Sequence, residues 1–186
     1  MSITQKIRAK IIVACYKNWG ICGKKVLDVG CGNGVVSKIL EEKFGLNLCG
    51  TDIIDYRKVN IPFRKMDRID KLPFDDLSFD YVIFNDVLHH SKDVVSLIVE
   101  GKRIAKCLLI FEDKPSFLLY ITDIIFNFFY SYKMPLPVNF KTREEWYVLF
   151  EELGFNCESG KLIYPVWYPF KHMVFRLTGK KKIEKK

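Results

Sequence analysis

A short stretch near the N-terminus constrains the fold of this chain more than any other feature. Residues 26–34 read VLDVGCGNG, a short apolar run, typical of a buried parallel strand, that breaks into glycines at alternate positions. Apolar residues at helical spacing follow directly, at Val35, Val36, Ile39, Leu40 and Phe44. Strand, glycine turn and helix in this order predict the opening of a nucleotide-binding βαβ unit, in which bare backbone and a helix N-terminus face the ligand.

The spacing of the glycines favours one cofactor class over another. A dinucleotide-binding turn has the pattern G-x-G-x-x-G, which from Gly30 requires a glycine where the chain has Val35. The third glycine comes one residue earlier, and an aspartate precedes the first glycine by two positions. This D-x-G-x-G-x-G form resembles the first motif of class I S-adenosylmethionine-dependent methyltransferases. The resemblance implies that the turn passes beneath the methionine part and ribose of the cofactor, held by Asp28, Gly30, Gly32, Asn33 and Gly34.

Acidic residues follow the second and third predicted strands. Residues 46–50 form a short apolar run, and Asp52 follows at roughly the distance from the glycine turn that ribose binding requires. Its carboxylate can accept hydrogen bonds from both ribose hydroxyls, with Ile53 beside it; the alternative is a capping or turn aspartate. In the resembling family an acid after the third strand, here Asp67 after residues 63–66, binds the adenine amino group. Its neighbour Met66 is then expected to pack on the adenine ring.

A second match to the same family lies at the expected distance along the chain. Residues 72–80 read LPFDDLSFD, which is similar to the L-P-F-x-(D/E)-x-S-F-D pattern of the type 11 methyltransferases, the branch that contains ubiquinone and menaquinone C-methylases. The resemblance covers residues 25 to about 112 well and the C-terminal half in outline. It implies an α/β fold with a Rossmann-like, doubly wound, seven-stranded sheet, mostly parallel with an antiparallel last strand. The final two strands are expected at 155–164 and 172–177.

Polar residues follow the fourth predicted strand, at the sheet edge where α/β proteins bind ligands. They are Asn85, Asp86, His89 and His90, and the resemblance places this segment beside the methyl donor. Asn85 is therefore expected on the cofactor, and Asp86 is a candidate for orienting the acceptor. His89 is a candidate general base, nearer to the cofactor than His90. The alternative is a histidine pair that only packs or caps.

An apolar insertion at residues 115–140 distinguishes this chain from its smaller relatives. Two acids precede it, Glu112 and Asp113, which either line the substrate mouth or cap the segment that follows. Within the insertion, Asp123, Asn127 and Ser131 form one narrow polar stripe on a predicted helix. The wide remaining face fits four alternatives: a helix packed in the core, a lid over an apolar substrate, a dimer face, or a surface in contact with a membrane.

The composition fits one domain with a basic C-terminal end. The chain has 186 residues, of which 49% are hydrophobic, and we expect a single domain over residues 1–179. Residues 1–20 carry an amphipathic helix, whose basic residues Lys6, Arg8, Lys10 and Lys17 lie away from its apolar face. Seven basic residues against one acidic residue from 171 to 186 give +6 of the total +8. The tail at 180–186 is either solvated or a contact for nucleic acid or anionic lipid.

Cysteine usage and hydropathy complete the prediction. Six cysteines lie at positions 15, 22, 31, 49, 107 and 157, without any C-x-x-C spacing, and are interpreted as reduced core residues. We expect no metal site, no secretory signal and no membrane span, and a cytoplasmic location. The chain is thus predicted to be an S-adenosylmethionine-dependent methyltransferase for a small or lipid-like acceptor. RNA methylation and a non-catalytic partner role are the alternatives, and the oligomeric state is left open.

Overall fold

The computed structural model describes residues 3–130, 139–163 and 170–180, which form one α/β unit. Its strands are β1 (Lys25–Val29), β2 (Asn47–Asp52), β3 (Phe63–Lys65), β4 (Phe79–Asn85), β5 (Ala105–Asp113), β6 (Phe155–Ile163) and β7 (His172–Gly179). Its helices are α1 (Ile3–Tyr16), α2 (Val35–Phe44), α3 (Val94–Ile104), α4 (Phe117–Tyr130) and α5 (Arg143–Glu152), with one 3-10 turn at Leu88–His90.

The seven strands form a single sheet in the order β3-β2-β1-β4-β5-β7-β6. Strand β1 is central and pairs in parallel with β2 on one side and β4 on the other. Strand β7 alone runs antiparallel, to both β5 and β6. This arrangement confirms the predicted doubly wound, mostly parallel sheet with an antiparallel last strand.

The core lies on both faces of this sheet. Leu27 of β1 points into one apolar cluster, which α3 and α5 cover with Ile98 and Trp146. The preceding residue, Val26, points into a second cluster, which α1 and α2 cover with Ile12 and Leu40. Strands that are buried on both faces do not alternate between apolar and polar residues, and this accounts for the continuous apolar runs in the sequence.

The helix ends follow the local chemistry of the sequence. Gly45 ends α2 in the left-handed conformation at φ 62°, which a residue with a Cβ adopts at a cost. At the start of α5, Thr142 accepts a hydrogen bond from the Glu145 backbone, and the Glu145 carboxylate accepts one from Thr142. These two reciprocal bonds form a capping box, which fixes the start of α5.

Packing in the core is the wrong alternative for the outer side chains of helix α4 that the structure describes. Phe117 is 82% exposed, whereas Leu119 is buried.

Several predictions concern residues that lie outside the described part of the chain. These are Ser131, the side chains of Asp123 and Asn127, residues 164–169 and the tail at 181–186. No helix in the described part of the chain is long and apolar enough to cross a membrane.

The prediction for the cysteines needs correction. All six are free, but only Cys107 is fully buried, and Cys22 is exposed. Cys22 lies in the turn between α1 and β1, beside Gly23, where the chain runs over the surface.

Candidate active site

The predicted site residues meet at the carboxyl ends of the central strands. Asp28 lies in β1, Asp52 ends β2 and Asn85 ends β4. Since β2 and β4 flank β1 on opposite sides, the connections that leave these strands diverge and open a crevice at this edge. Two cavities occupy the crevice.

The glycine turn forms the floor of both cavities. A Cβ on Gly30 would lie 2.2 Å from Cγ2 of Val87, so a side chain there would displace the loop that follows β4. A Cβ on Gly32 would meet nothing within 4 Å among the described residues, although φ is 54°. Gly30 is therefore required by packing, whereas Gly32 leaves bare backbone open to a ligand.

The N-terminus of α2 continues from this turn. Gly34 occupies the position before the first helical residue, with φ 76°. The side-chain oxygen of Asn33 accepts a hydrogen bond from the Val35 backbone at 3.1 Å. Asn33 thus organises the start of the helix, and its predicted role on the cofactor stays a prediction.

The smaller cavity, about 230 Å³, lies beside Asp52 and is mostly apolar. Asp52 accepts hydrogen bonds from the backbone of Gly32 at 2.9 Å and of Ile53 at 2.7 Å. Burial raises the pKa of its carboxyl, against those hydrogen bonds. Ile53 and Met66 line the cavity as expected. Asp67 is exposed and lies outside this lining, so its contact with adenine stays a prediction.

The larger cavity, about 640 Å³, extends from the turn to the space between α1 and α4. Asp28 and Asn85 line its inner end, and Leu119 and Phe170 line its outer part. The two cavities share Gly30, Asp86 and His90 and form one bent groove.

Asp28 is a buried acid at the inner end of the larger cavity. One carboxylate oxygen accepts a hydrogen bond from the Ser37 hydroxyl at 2.6 Å, and the other has no partner among the described residues. Burial raises the pKa of Asp28 to about 7, even though the hydrogen bond from Ser37 and the nearby amide group of Asn85 act in the opposite direction. The strand thus holds an acid that ionises with difficulty unless a cation or donor arrives.

Asn85 is fixed by a residue that the sequence analysis did not select. The Tyr16 hydroxyl donates a hydrogen bond to the side-chain oxygen of Asn85 at 2.7 Å. The Tyr16 side chain is fully buried, and burial raises the pKa of its hydroxyl well above the ordinary value. With its oxygen occupied, Asn85 presents its amide nitrogen, which has no partner among the described residues, to the groove.

Arg8 ties helix α1 to the site. Its guanidinium forms an ion pair with Asp86 and another, at 2.9 Å, with Asp113. Asp113 in turn contacts the imidazole of His172. Burial alone would raise both carboxyl pKa values. The charges of Arg8 and His172 outweigh burial at Asp113 and hold its pKa at about 2, whereas burial prevails at Asp86 and leaves its pKa at about 6.

The strain at Asp86 belongs to this network. Asp86 has φ 55°, a left-handed conformation that is uncommon outside glycine. The ion pair with Arg8 and a hydrogen bond from its own backbone to the Phe111 carbonyl at 2.8 Å hold it there. Strain of this kind persists where the surrounding contacts fix the backbone conformation. The left-handed conformation of Asp86 turns the chain sharply across the groove.

His89 is paired with Glu112, a fully buried acid at the end of β5. One Glu112 oxygen accepts backbone hydrogen bonds from Val87 at 3.1 Å and Leu88 at 2.8 Å. The other lies 2.5 Å from Nδ1 of His89. Glu112 therefore caps the loop after β4, whereas the sequence predicted that it either lines the substrate mouth or caps the segment that follows. Asp113 does line the larger cavity.

His90 lies at the junction of the two cavities. Its ring stacks near that of His89, with centroids 4.0 Å apart. Burial, followed by the charges of His89 and Arg8, lowers the pKa of His90 to about 3. His90 is therefore neutral over the physiological range, whereas His89 is paired with an acid that can stabilise a protonated ring.

Arg8, Tyr16 and His172 are the functional candidates that the sequence analysis missed. The prediction that Arg8 lies away from the apolar face of α1 is wrong: it precedes Ile12 by one helical turn, so both lie on one side of the helix, and both line the larger cavity. Tyr16 follows on the same side, one turn after Ile12. For His172 there was no local signal, because its contact with Asp113 joins residues 59 positions apart.

The fold and this site are similar to those of class I methyltransferases, the class that uses S-adenosylmethionine. The sequence model of the type 11 branch, described as "Methyltransferase domain", matches residues 27–107, a little less than half of the chain. A ubiquinone biosynthesis O-methyltransferase of Pseudomonas aeruginosa is 29% identical over 112 residues, 48% of this chain and 45% of that protein. The chain thus matches less than half of the length of this relative.

Other similarities extend over more of the chain. An uncharacterized protein of Methanocaldococcus jannaschii is 28% identical over 147 residues, 74% of this chain and 68% of that protein. A solved structure from Pyrococcus horikoshii superposes with a TM-score of 0.73 at 20% identity, covering 96% of this chain and 92% of that one. Magnesium protoporphyrin IX methyltransferase of Synechocystis, solved with bound S-adenosylhomocysteine, superposes with a TM-score of 0.66 at 18% identity. The superposition covers 95% of this chain and 84% of that one. At these identities the superpositions show the fold.

The residues present fit S-adenosylmethionine. The open backbone at Gly32 suits a close ligand, and the Asp52 carboxylate retains lone pairs for ribose hydroxyls. The unpartnered oxygen of Asp28 and amide nitrogen of Asn85 suit the charged amino acid end of the cofactor. These four residues line or border one groove.

A pair of glycine substitutions tests the open backbone. Gly32 and Gly23 are both left-handed, at φ 54° and 68°, and a Cβ on either meets nothing within 4 Å among the described residues. Each alanine variant should lose about 1–2 kcal/mol of folding stability. Only Gly32→Ala should also lose affinity for S-adenosylhomocysteine, by about 10-fold or more, because its methyl group occupies ligand space. Calorimetric titration measures this, and equal affinities of the two variants would contradict a ligand at Gly32.

Proposed function

We propose that this chain transfers the methyl group of S-adenosylmethionine to a small or lipid-like apolar acceptor. The observation that carries the proposal is the bent groove, in which the cavity beside Asp52 joins a larger one that opens between α1 and α4. The first matches a nucleoside, and the second leaves room for an acceptor beyond the junction at Gly30.

The lining of the larger cavity supports an apolar acceptor. Ile7, Ile12, Leu119 and Phe170 contribute apolar lining, and Gln5, Arg8 and Thr122 lie beside them. The apolar part of this lining suits a molecule with one reactive polar atom and a hydrocarbon remainder. The ubiquinone biosynthesis O-methyltransferases named among the relatives support the same chemical class.

The chain's own contribution is alignment and exclusion of water. The cofactor supplies an electrophilic methyl carbon, so the protein has to hold the acceptor atom in line with it. Asp52 and Gly32 hold one end of the cofactor, and Asp28 and Asn85 the other. Asp86 and His90, at the junction of the cavities, then border the position of transfer.

An acceptor hydroxyl must also lose a proton, and we assign this step to His89, which lines the larger cavity. Since Nδ1 of His89 faces the Glu112 carboxylate, this nitrogen carries the proton and Nε2 is the basic nitrogen of the neutral ring. Glu112 is held by two backbone N–H groups and fixes this tautomer. The ring also stacks on Phe140, with centroids 4.8 Å apart, which limits its rotation.

Binding and transfer experiments test the proposal. Calorimetric titration with S-adenosylhomocysteine should give saturable binding, and NADH as a control should give none. Transfer of a labelled methyl group should then increase with hydrocarbon length across a series of phenols and quinols. Transfer to RNA alone would assign a different acceptor class. Absence of both binding and transfer from a folded sample would favour a non-catalytic role.

Substitution of His89 tests its role as a base. With a phenolic acceptor, His89→Gln should lower kcat by about 100-fold or more and leave the affinity for S-adenosylhomocysteine unchanged. Glu112→Gln should lower kcat less and move the acid limb of the kcat–pH profile to lower pH, because the protonated ring loses its anionic partner. An unchanged kcat in His89→Gln would contradict proton transfer through this residue.

A further inference from the structure

Helix α4 presents a continuous apolar face to solvent beside the mouth of the larger cavity. Its outward side chains are between 38% and 82% exposed: Phe117, Leu118, Tyr120, Ile121, Ile124 and Ile125. At 3.6 residues per turn they lie within an arc of about 160°. Leu119 and Thr122 lie outside this arc and line the cavity. Exposed apolar surface this continuous marks a contact site rather than ordinary surface.

Basic residues border this face at the start of α4, and α1 carries further ones. Lys114 precedes α4 and is exposed, and its backbone donates a hydrogen bond to the carbonyl of Lys171, also exposed. Lys6 and Lys10 are exposed on α1, whose Arg8 and Ile12 line the cavity. The first 27 residues contain no acidic residue at all. An apolar helix flanked by lysines is the combination that binds an anionic lipid surface.

The dimensions and charges favour a bilayer over the other occupants. With 14 residues α4 is about 21 Å long, shorter than the roughly 30 Å hydrocarbon layer, so a bilayer would contact the side of the helix. A second copy of the chain docked on α4 would bring the two sets of lysines together, and like charges oppose such an interface.

We propose that α4 and its flanking lysines dock this protein on anionic membranes, with the mouth of the larger cavity facing the lipid. The acceptor then enters from the membrane without crossing water. The inference deepens the proposed function, on which the identity of the acceptor rests, but docking itself requires neither cofactor nor acceptor.

Vesicle sedimentation tests the docking. The full chain should bind vesicles that contain phosphatidylglycerol at least 10-fold more tightly than vesicles of phosphatidylcholine alone, and added salt should weaken this binding. Phe117→Asp/Ile125→Asp should reduce it 10-fold or more. Val148→Asp is the matched control, because Val148 is 56% exposed but lies on α5. The control should bind as the unchanged chain does.

A second pair of variants separates charge from apolar contact. Lys114→Glu should lower binding to anionic vesicles roughly fivefold or more, whereas Lys106→Glu, at the opposite end of β5, should not. All four variants should bind S-adenosylhomocysteine unchanged, so that failed docking is distinguishable from a failed cofactor site. Failure of the unchanged chain to bind anionic vesicles would overturn the proposal. So would a dimer in sedimentation equilibrium that Phe117→Asp/Ile125→Asp dissociates.

Discussion

Replacing Asp52 with alanine is expected to lower the affinity for S-adenosylhomocysteine by about 100-fold or more, because two charge-assisted hydrogen bonds to ribose hydroxyls would be lost. Asp52 ends β2 within the smaller cavity and accepts backbone hydrogen bonds from Gly32 and Ile53. Its carboxylate is thereby held in one orientation before the ligand arrives. Isothermal titration calorimetry measures the change.

Two further variants separate ribose binding from support of the glycine turn. Asp52→Asn keeps an acceptor for the Gly32 N–H but removes the charge, and it should lose about 10-fold in affinity. Asp55→Ala is the control, since Asp55 is exposed and pairs with Arg57 at 2.8 Å. Asp55 does not line the smaller cavity, and the control should bind normally. Unchanged affinity in Asp52→Ala would refute a ribose contact and leave Asp52 as a turn residue.

The local parts of this site could be predicted because each depends on neighbouring residues. The glycine turn combines an apolar strand, glycines whose backbone must be left-handed or closely approached, and a helix start, all within ten residues. Gly45 at the end of α2 and the capping box of Thr142 and Glu145 are likewise local, since each involves residues within one helical turn. The seven-stranded, mostly parallel sheet with an antiparallel last strand followed from the family resemblance, and the structure confirms it.

The contacts that join distant segments could not be predicted from local pattern. Arg8 reaches Asp86 and Asp113, 78 and 105 positions away, because α1 packs over the carboxyl ends of β4 and β5. Glu112 meets His89 across 23 positions for the same topological reason. A pattern identifies an acid at a strand end, but only the neighbouring strand decides which loop that acid holds.

The pH dependence of folding stability should reveal Asp28. Its folded pKa of about 7 lies above the ordinary value of 3.8, so the native state retains a proton that the unfolded chain releases. Stability should therefore fall as pH rises between about 4 and 7, by a few kcal/mol in total. Asp28→Asn lacks this ionisation while its side-chain oxygen can still accept from Ser37. The variant should gain a few kcal/mol relative to the unchanged chain between about pH 5 and pH 8.

Denaturant unfolding of both proteins at about pH 5 and pH 8 measures this gain. Subtracting the stability difference at pH 5 from that at pH 8 cancels any pH-independent effect of the asparagine. Asp75→Asn, whose carboxylate is exposed, is the control and should show no such gain. Equal pH dependence in Asp28→Asn and the unchanged chain would show that Asp28 is not the buried group responsible.

Ionisation of Asp28 should also make the affinity for the ligand depend on pH, with a sign opposite to its effect on folding stability. If the ionised Asp28 binds the ammonium group of the ligand, affinity for S-adenosylhomocysteine rises with pH up to about 7 and then levels off, because binding requires the proton to leave. Asp28→Asn should lose both this dependence and most of the affinity, while folding more stably at high pH. A variant that gains stability and keeps its affinity would instead make Asp28 a structural acid. The ionised Asp28 carboxylate lowers the folding stability of the ligand-free protein. Stabilisation of this carboxylate by a bound ammonium group is the simplest reason for an aspartate at this position.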